Sequence, residues 1–138
     1  MQGNQTFNLP IRVYYEDTDA GGVVYHAQYL NFMERARTEM MRHLGFEHTT
    51  LLQQYRCVFV VHSLQVQYKK SAKLDDLLEI ACTLSKIGHS SVEFLQTILL
   101  KQQTLVTAHI KLACVDAFTF KPISVPPAVK KTMQKQTL

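Results

Sequence analysis

Residues 12–39 read RVYYEDTDAGGVVYHAQYLNFMERARTE, and the change of pattern inside this stretch decides the fold. Its start belongs to Ile11–Glu16, a β-branched and aromatic run that follows Pro10 and predicts a first strand over 11–16. Residues 17–22, DTDAGG, break that run with polar and glycine residues. From Val23 to Gly45 the apolar residues Tyr29, Met33, Ala36, Met40 and Leu44 recur at helical spacing, and Gly45 is a natural stop. The spacing predicts a helix of about 18 residues, roughly 27 Å long. A helix that dominates so small a chain needs a sheet to cover it.

Further along, CVFVV at 57–61 passes into an alternation of Leu64, Val66 and Tyr68 against Ser63, Gln65 and Gln67, the pattern of a strand over 57–69 with one buried face. Residues 78–85 repeat it, and 91–100 and 104–117 are again rich in Val, Ile, Phe and Leu. The short connections IGHSS (87–91) and KQQT (101–104) make consecutive strands antiparallel neighbours. The prolines Pro122, Pro126 and Pro127 bar a further central strand, so the chain from Lys121 reads as a tail with a helical turn or more. The expectation is one α+β domain over 1–138, a long helix wrapped by a five-stranded, mainly antiparallel sheet.

Composition narrows the function classes. With 46% hydrophobic and 19% charged residues over 138 positions, the chain has the balance of a globular protein with one core. No apolar run approaches a membrane span, and MQGNQTFNLP lacks the basic and apolar regions of a secretory signal, so stable membrane insertion is not expected and the cytoplasm is the expected compartment. Cys57, Cys82 and Cys114 have neither disulfide-framework nor metal-site spacing. The net charge of +4 is spread out, with small groups at Lys69, Lys70 and Lys73 and in the tail, and no interleaved aromatics that would suit nucleic acid. His43, His48, His62, His89 and His109 lack ligand spacing, and no metal or cofactor is expected.

Chemistry concentrates in Tyr14–His26. The first amides of a helix carry partial positive charge, so they suit a carbonyl oxygen that becomes negative during acyl transfer. Gly21 and Gly22 would let an acyl chain approach the backbone closely. A carboxylate beside such amides activates water or attacks the carbonyl itself, and Asp17 and Asp19 are the candidates. The plainer reading is that two acids before a helix only cap it. The residues alone leave both readings open.

The pattern D-x-D-x-x-G-V-V-Y-H-x-x-Y, continued by FVVHSLQVQY (59–68) and LDDLLEI (74–80), resembles the 4-hydroxybenzoyl-CoA thioesterase family, above all its Tol–Pal-associated YbgC-type branch. The similarity runs to about Asp116. It implies a hotdog fold, metal-free hydrolysis of acyl-CoA thioesters, and homotetramers built from paired dimers. Carried over, Asp19 matches the catalytic carboxylate, as general base or nucleophile, and Asp17 becomes structural. Tyr15 and His26 match positions lining the site, and the amides of Tyr25 and His26 match the oxyanion donors. Gly22, Val24 and Val61 fall along the substrate path, Lys86 and Ser90 on a turn that meets CoA phosphates, and Glu34 on the helix is a lesser catalytic candidate. The expected partner is acyl-CoA or an acyl carrier protein. The alternative function is an acyl-binding or envelope-associated scaffold whose basic residues Lys69, Lys70 and Lys73 greet an acidic carrier, with hydrolysis incidental. A dehydratase or isomerase is disfavoured because the acid sits in the wrong segment.

Overall fold

The computed structural model describes residues 5–137. In chain order the elements are β1 (Thr6–Arg12), a single 3-10 turn (Tyr15–Asp17), α1 (Gln28–His43), α2 (His48–Tyr55), β2 (Cys57–Tyr68), β3 (Leu77–Ile87), β4 (Ser91–Leu100), β5 (Gln103–Asp116) and α3 (Pro127–Gln134). All strands join one sheet in the order β1-β3-β4-β5-β2, and every neighbouring pair is antiparallel. This is the hotdog arrangement, with α1 lying in the curl of the sheet.

The first strand lies earlier than the run 11–16 suggested. β1 ends at Arg12, and Tyr15–Asp17 form the 3-10 turn instead. The Asp17 carboxylate causes the break: its Oδ2 accepts the Tyr14 amide at 2.8 Å while the Asp17 amide donates to the Tyr14 carbonyl at 3.0 Å. A reciprocal local pair of this kind competes with the sheet ladder and wins. α1 runs from Gln28 to His43, beginning one residue before the apolar spacing that opens at Tyr29, while Val23–Ala27 stay irregular. The short α2 had no signal in the pattern; it closes at Arg56, held in the left-handed region at φ 51.

Burial follows the periods. α1 turns Tyr29, Phe32, Met33, Ala36 and Met40 inward against Leu78, Ile80 and Cys82 of β3 and Phe94 and Ile98 of β4. The chain beyond Lys121 is more than a tail, since Val129 and Met133 of α3 are fully buried in the same core. At the sheet edge β2 behaves differently. It pairs with β5 on one side only, carries a bulge between Val61 and Ser63, and leaves Val60, Val61, Leu64 and Tyr68 exposed.

Candidate active site

The acid segment is a tight loop tied down at both ends. Val13 and the Asp75–Asp76 backbone exchange hydrogen bonds of 2.9 and 3.0 Å, and the Val24 amide donates to Ala72 at 2.9 Å. Between these anchors Thr18 bridges Val24 and Val23 bridges Lys73. The turn of the loop needs glycine at Gly22, whose φ of 83 would strain any side chain.

The two acids then part. Asp17 is only 5% exposed, and its carboxylate accepts both the Tyr14 amide and the Gln28 side-chain amide at 2.8 Å. Its carbonyl accepts the Tyr25 amide at 3.0 Å. Asp17 thus joins the loop to the first residue of α1 and has no face for a substrate. Asp19 is exposed, and its Oδ1 accepts the Gly21 amide at 2.8 Å. A Cβ at Gly21 would stand 3.2 Å from that same oxygen, so the glycine keeps room for the carboxylate.

Asp19 lines an open cleft of about 260 Å³ with Val23, Val24, His26, Tyr29 and Tyr68, and the exposed Lys69, Lys70 and Ser71 edge it. The His26 ring packs at a tilt against Tyr25, ring centroids 4.5 Å apart and planes 49° apart, and the Tyr68 hydroxyl donates to the His26 carbonyl at 3.0 Å. Tyr29 is buried at the floor; its hydroxyl oxygen accepts the Ala72 amide at 2.9 Å, and burial above all raises its pKa, keeping it neutral. Of the two amides expected to polarise a carbonyl, Tyr25 has spent its N–H on Asp17, while the His26 N–H meets no acceptor among the described residues.

The other expected residues lie apart from this cleft within one chain. Tyr15 is 83% exposed and does not line it. Val61 and Glu34 line a second, largely apolar cavity of about 550 Å³ between α1, α2 and β2, with Met41, Leu51, Phe59 and Phe94. Arg37 lines that cavity too, donating to Gln96 Oε1 at 2.9 Å, and Gln96 in turn donates to the Met33 carbonyl at 2.9 Å. Lys86 and Ser90 flank the β3–β4 turn, where the Ser90 carbonyl accepts the Cys114 amide at 2.8 Å. That turn lies beside the start of β2, whereas Asp19 lies beside its end at Tyr68. Roughly 35 Å of strand separates the two ends. The pattern reading missed Tyr68, Ser71 and the Lys69–Lys70 rim as neighbours of Asp19, because a strand end and a distant loop share no local signal.

A five-stranded antiparallel sheet curled round one long helix is the architecture of a hotdog-fold protein. The chain belongs to the thioesterase-like superfamily, whose model matches residues 13–133. It is similar to the acyl-CoA thioesterase YbgC of Haemophilus influenzae, 48% identical over 90% of this chain and 91% of that one. YbgC of Helicobacter pylori is 34% identical over 88% of this chain and 96% of its own length. Among solved structures, a probable thioesterase from Bartonella henselae superposes with a TM-score of 0.85 at 35% identity, covering 88% of this chain and all (100%) of that one. A DHNA-CoA thioesterase from Staphylococcus aureus superposes with a TM-score of 0.88 at 27% identity, covering 94% and 89%.

Proposed function

We propose that the protein hydrolyses acyl-CoA thioesters to a free acid and CoA in the Asp19 cleft, with the acyl pocket completed by a second copy of the chain. The carrying observation is that one cleft is lined both by the exposed Asp19 and by His26, whose N–H meets no acceptor among the described residues. The thioester carbonyl oxygen accepts the His26 N–H, which stabilises the charge that develops on it. Either Asp19 takes a proton from water as the water oxygen bonds to the carbonyl carbon, and the C–S bond then breaks with the proton passing to the departing thiolate, or Asp19 itself bonds to that carbon. In the second case the C–S bond breaks as the CoA thiolate leaves and takes up a proton from solvent, and water then hydrolyses the mixed anhydride to free Asp19. The Gly21 amide holds the carboxylate in place, and the Tyr68 hydroxyl holds the His26 carbonyl.

Support for the second copy comes from β2. A strand with one unpaired edge and exposed Val60, Val61, Leu64 and Tyr68 is a template for its own kind. Identical edges joined by a two-fold axis run antiparallel, so the end of β2 meets the start of the partner's β2. The 260 Å³ cleft of one protomer then abuts the 550 Å³ cavity of the other, and the apolar cavity receives the acyl group. On the outer sheet face Leu95 is exposed beside the Glu93–His109 pair, a surface on which such dimers join into tetramers. The three free, buried thiols suit a reducing cytoplasm.

Asp19→Asn tests the assignment. Turnover of acyl-CoA, followed by thiol release, is expected to fall about 10²- to 10⁴-fold with the fold intact; near-normal turnover rejects it. The scaffold reading retains one observation, the cationic rim of Lys69 and Lys70 with Lys73 close by. A scaffold keeps its cellular role in Asp19→Asn, whereas an enzyme loses it.

A further inference from the structure

The turn between β5 and α3 displays two phenylalanines to solvent. Phe118 is 66% and Phe120 is 65% exposed, the highest values among the large apolar side chains after Tyr15. Exposure of this kind in a floppy loop would mean little, but this turn is built. The Asp116 carboxylate accepts the Phe118 amide at 2.8 Å and the Thr119 amide at 3.0 Å. The Asp116 backbone exchanges bonds with Phe120 and Lys121, both 2.9 Å, and the Ala117 amide donates to the Arg56 carbonyl at 2.8 Å. Two residues without the freedom of glycine, Arg56 (φ 51) and Phe120 (φ 59), are held in the left-handed region. Strain of this sort persists only where the surroundings impose it, and it concentrates at functional places.

The cations are arranged with the rings. The Arg56 guanidinium lies 4.4 Å from the Phe118 ring centroid and turns its Nε toward Asp116 at 3.6 Å, and its outer nitrogens meet no acceptor among the described residues. Lys121 is exposed at the end of the same turn. Rigid aromatic faces beside unspent cations match a nucleotide: the base stacks and the phosphates take the charge.

We infer that this turn binds the nucleotide end of the CoA whose thioester lies in the partner subunit's cleft, with Phe118 and Phe120 facing the adenine and Arg56 and Lys121 facing the phosphates. The inference rests on the proposed function and its paired β2 strands. Arg56 immediately precedes β2, and Asp116 lies opposite Cys57 at the strand's start. Antiparallel two-fold pairing brings that start to the end of the other β2, where Tyr68 borders the Asp19 cleft. The turn then stands about two strand spacings, roughly 10 Å, from the partner's Tyr68. The Lys69–Lys70 rim of one protomer and the Arg56–Lys121 pair of the other, which lie at opposite ends of β2 within each chain, come to one mouth only in the dimer. The β3–β4 turn with Lys86 and Ser90 lies alongside, since the amides of Cys114 and Val125 donate to Ser90 and His89 at 2.8 Å.

The test compares acyl-CoA with the N-acetylcysteamine thioester of the same acid, which carries the reacting group without the nucleotide. Phe118→Ala with Phe120→Ala, and separately Arg56→Gln, are expected to raise KM for acyl-CoA about tenfold. Turnover at saturation and all constants for the short thioester stay near wild type. Inhibition by adenosine 3′,5′-bisphosphate weakens by a similar factor, and Phe118→Tyr with Phe120→Tyr keeps the wild-type KM because the ring faces remain. An unchanged KM for acyl-CoA overturns the inference. So does an equal loss on both substrates with a smaller particle on size exclusion, which would assign the turn to subunit contact. Failure of the proposed function itself looks different: the wild-type protein then hydrolyses neither thioester.

Discussion

Replacing Asp17 by alanine removes the acceptor of the Tyr14 amide and of the Gln28 side chain, both at 2.8 Å. Two donors left unpaired near the core cost about 2 to 4 kcal/mol together, to be read as a lower urea midpoint. Asp19→Ala removes only the bond to the exposed Gly21 amide and is expected to cost about 1 kcal/mol or less while abolishing most turnover. Equal destabilisation by the two changes would contradict the division of labour between these acids. Cys82 offers a pH test. Burial pushes its thiol up to about 12, from 9.0 in the unfolded chain. Between those values the unfolded state loses its proton and the folded state keeps it, so this contribution is complete below pH 9 and declines as pH rises toward 12. Cys82→Ala should flatten that decline by about 1.4 kcal/mol per pH unit at most, measured by urea titration at several pH values.

α1 is fixed to the sheet by polar staples as well as by its apolar stripe. Tyr29 accepts the Ala72 amide from the segment after β2, and Gln96 of β4 holds the Met33 carbonyl and the Arg37 guanidinium. Tyr29→Phe leaves the buried Ala72 N–H without its acceptor and should cost about 1 to 3 kcal/mol in thermal or urea melts. The same change loosens the floor of the Asp19 cleft, so turnover should fall more steeply with temperature than in the wild type. The helical spacing from Tyr29 to Leu44 revealed the element and its extent, but the contact that fixes the entrance of α1 was not legible. Its start at Gln28 depends on Asp17 catching the Gln28 side chain and the Tyr25 amide, and that contact exists only once the loop has closed.

For the molecule as a whole, the proposed pairing of two copies through β2 is the feature to test. Val60→Lys combined with Leu64→Lys places charge along the exposed edge and is expected to yield a folded monomer, with acyl-CoA turnover lost. Light scattering with size exclusion and a turnover assay check this; an active monomer would show that one chain suffices. Local pattern was enough to reveal the long helix, the strand periods and the acid loop, because side-chain periodicity of 3.6 or 2 is written in neighbouring residues. It also carried the likeness to the thioesterases. Only the tertiary structure decided which acid is buried and which faces a cleft, which amide is spent, that Tyr68 and the two lysines after it border Asp19, and that Val61, Lys86 and Ser90 lie toward the other end of the sheet. Those are matters of long-range pairing: β2 meets β5 between 38 residues (Tyr68 with Val106) and 59 residues (Cys57 with Asp116) later in the chain, and no run of adjacent residues records where a strand's far end comes to rest.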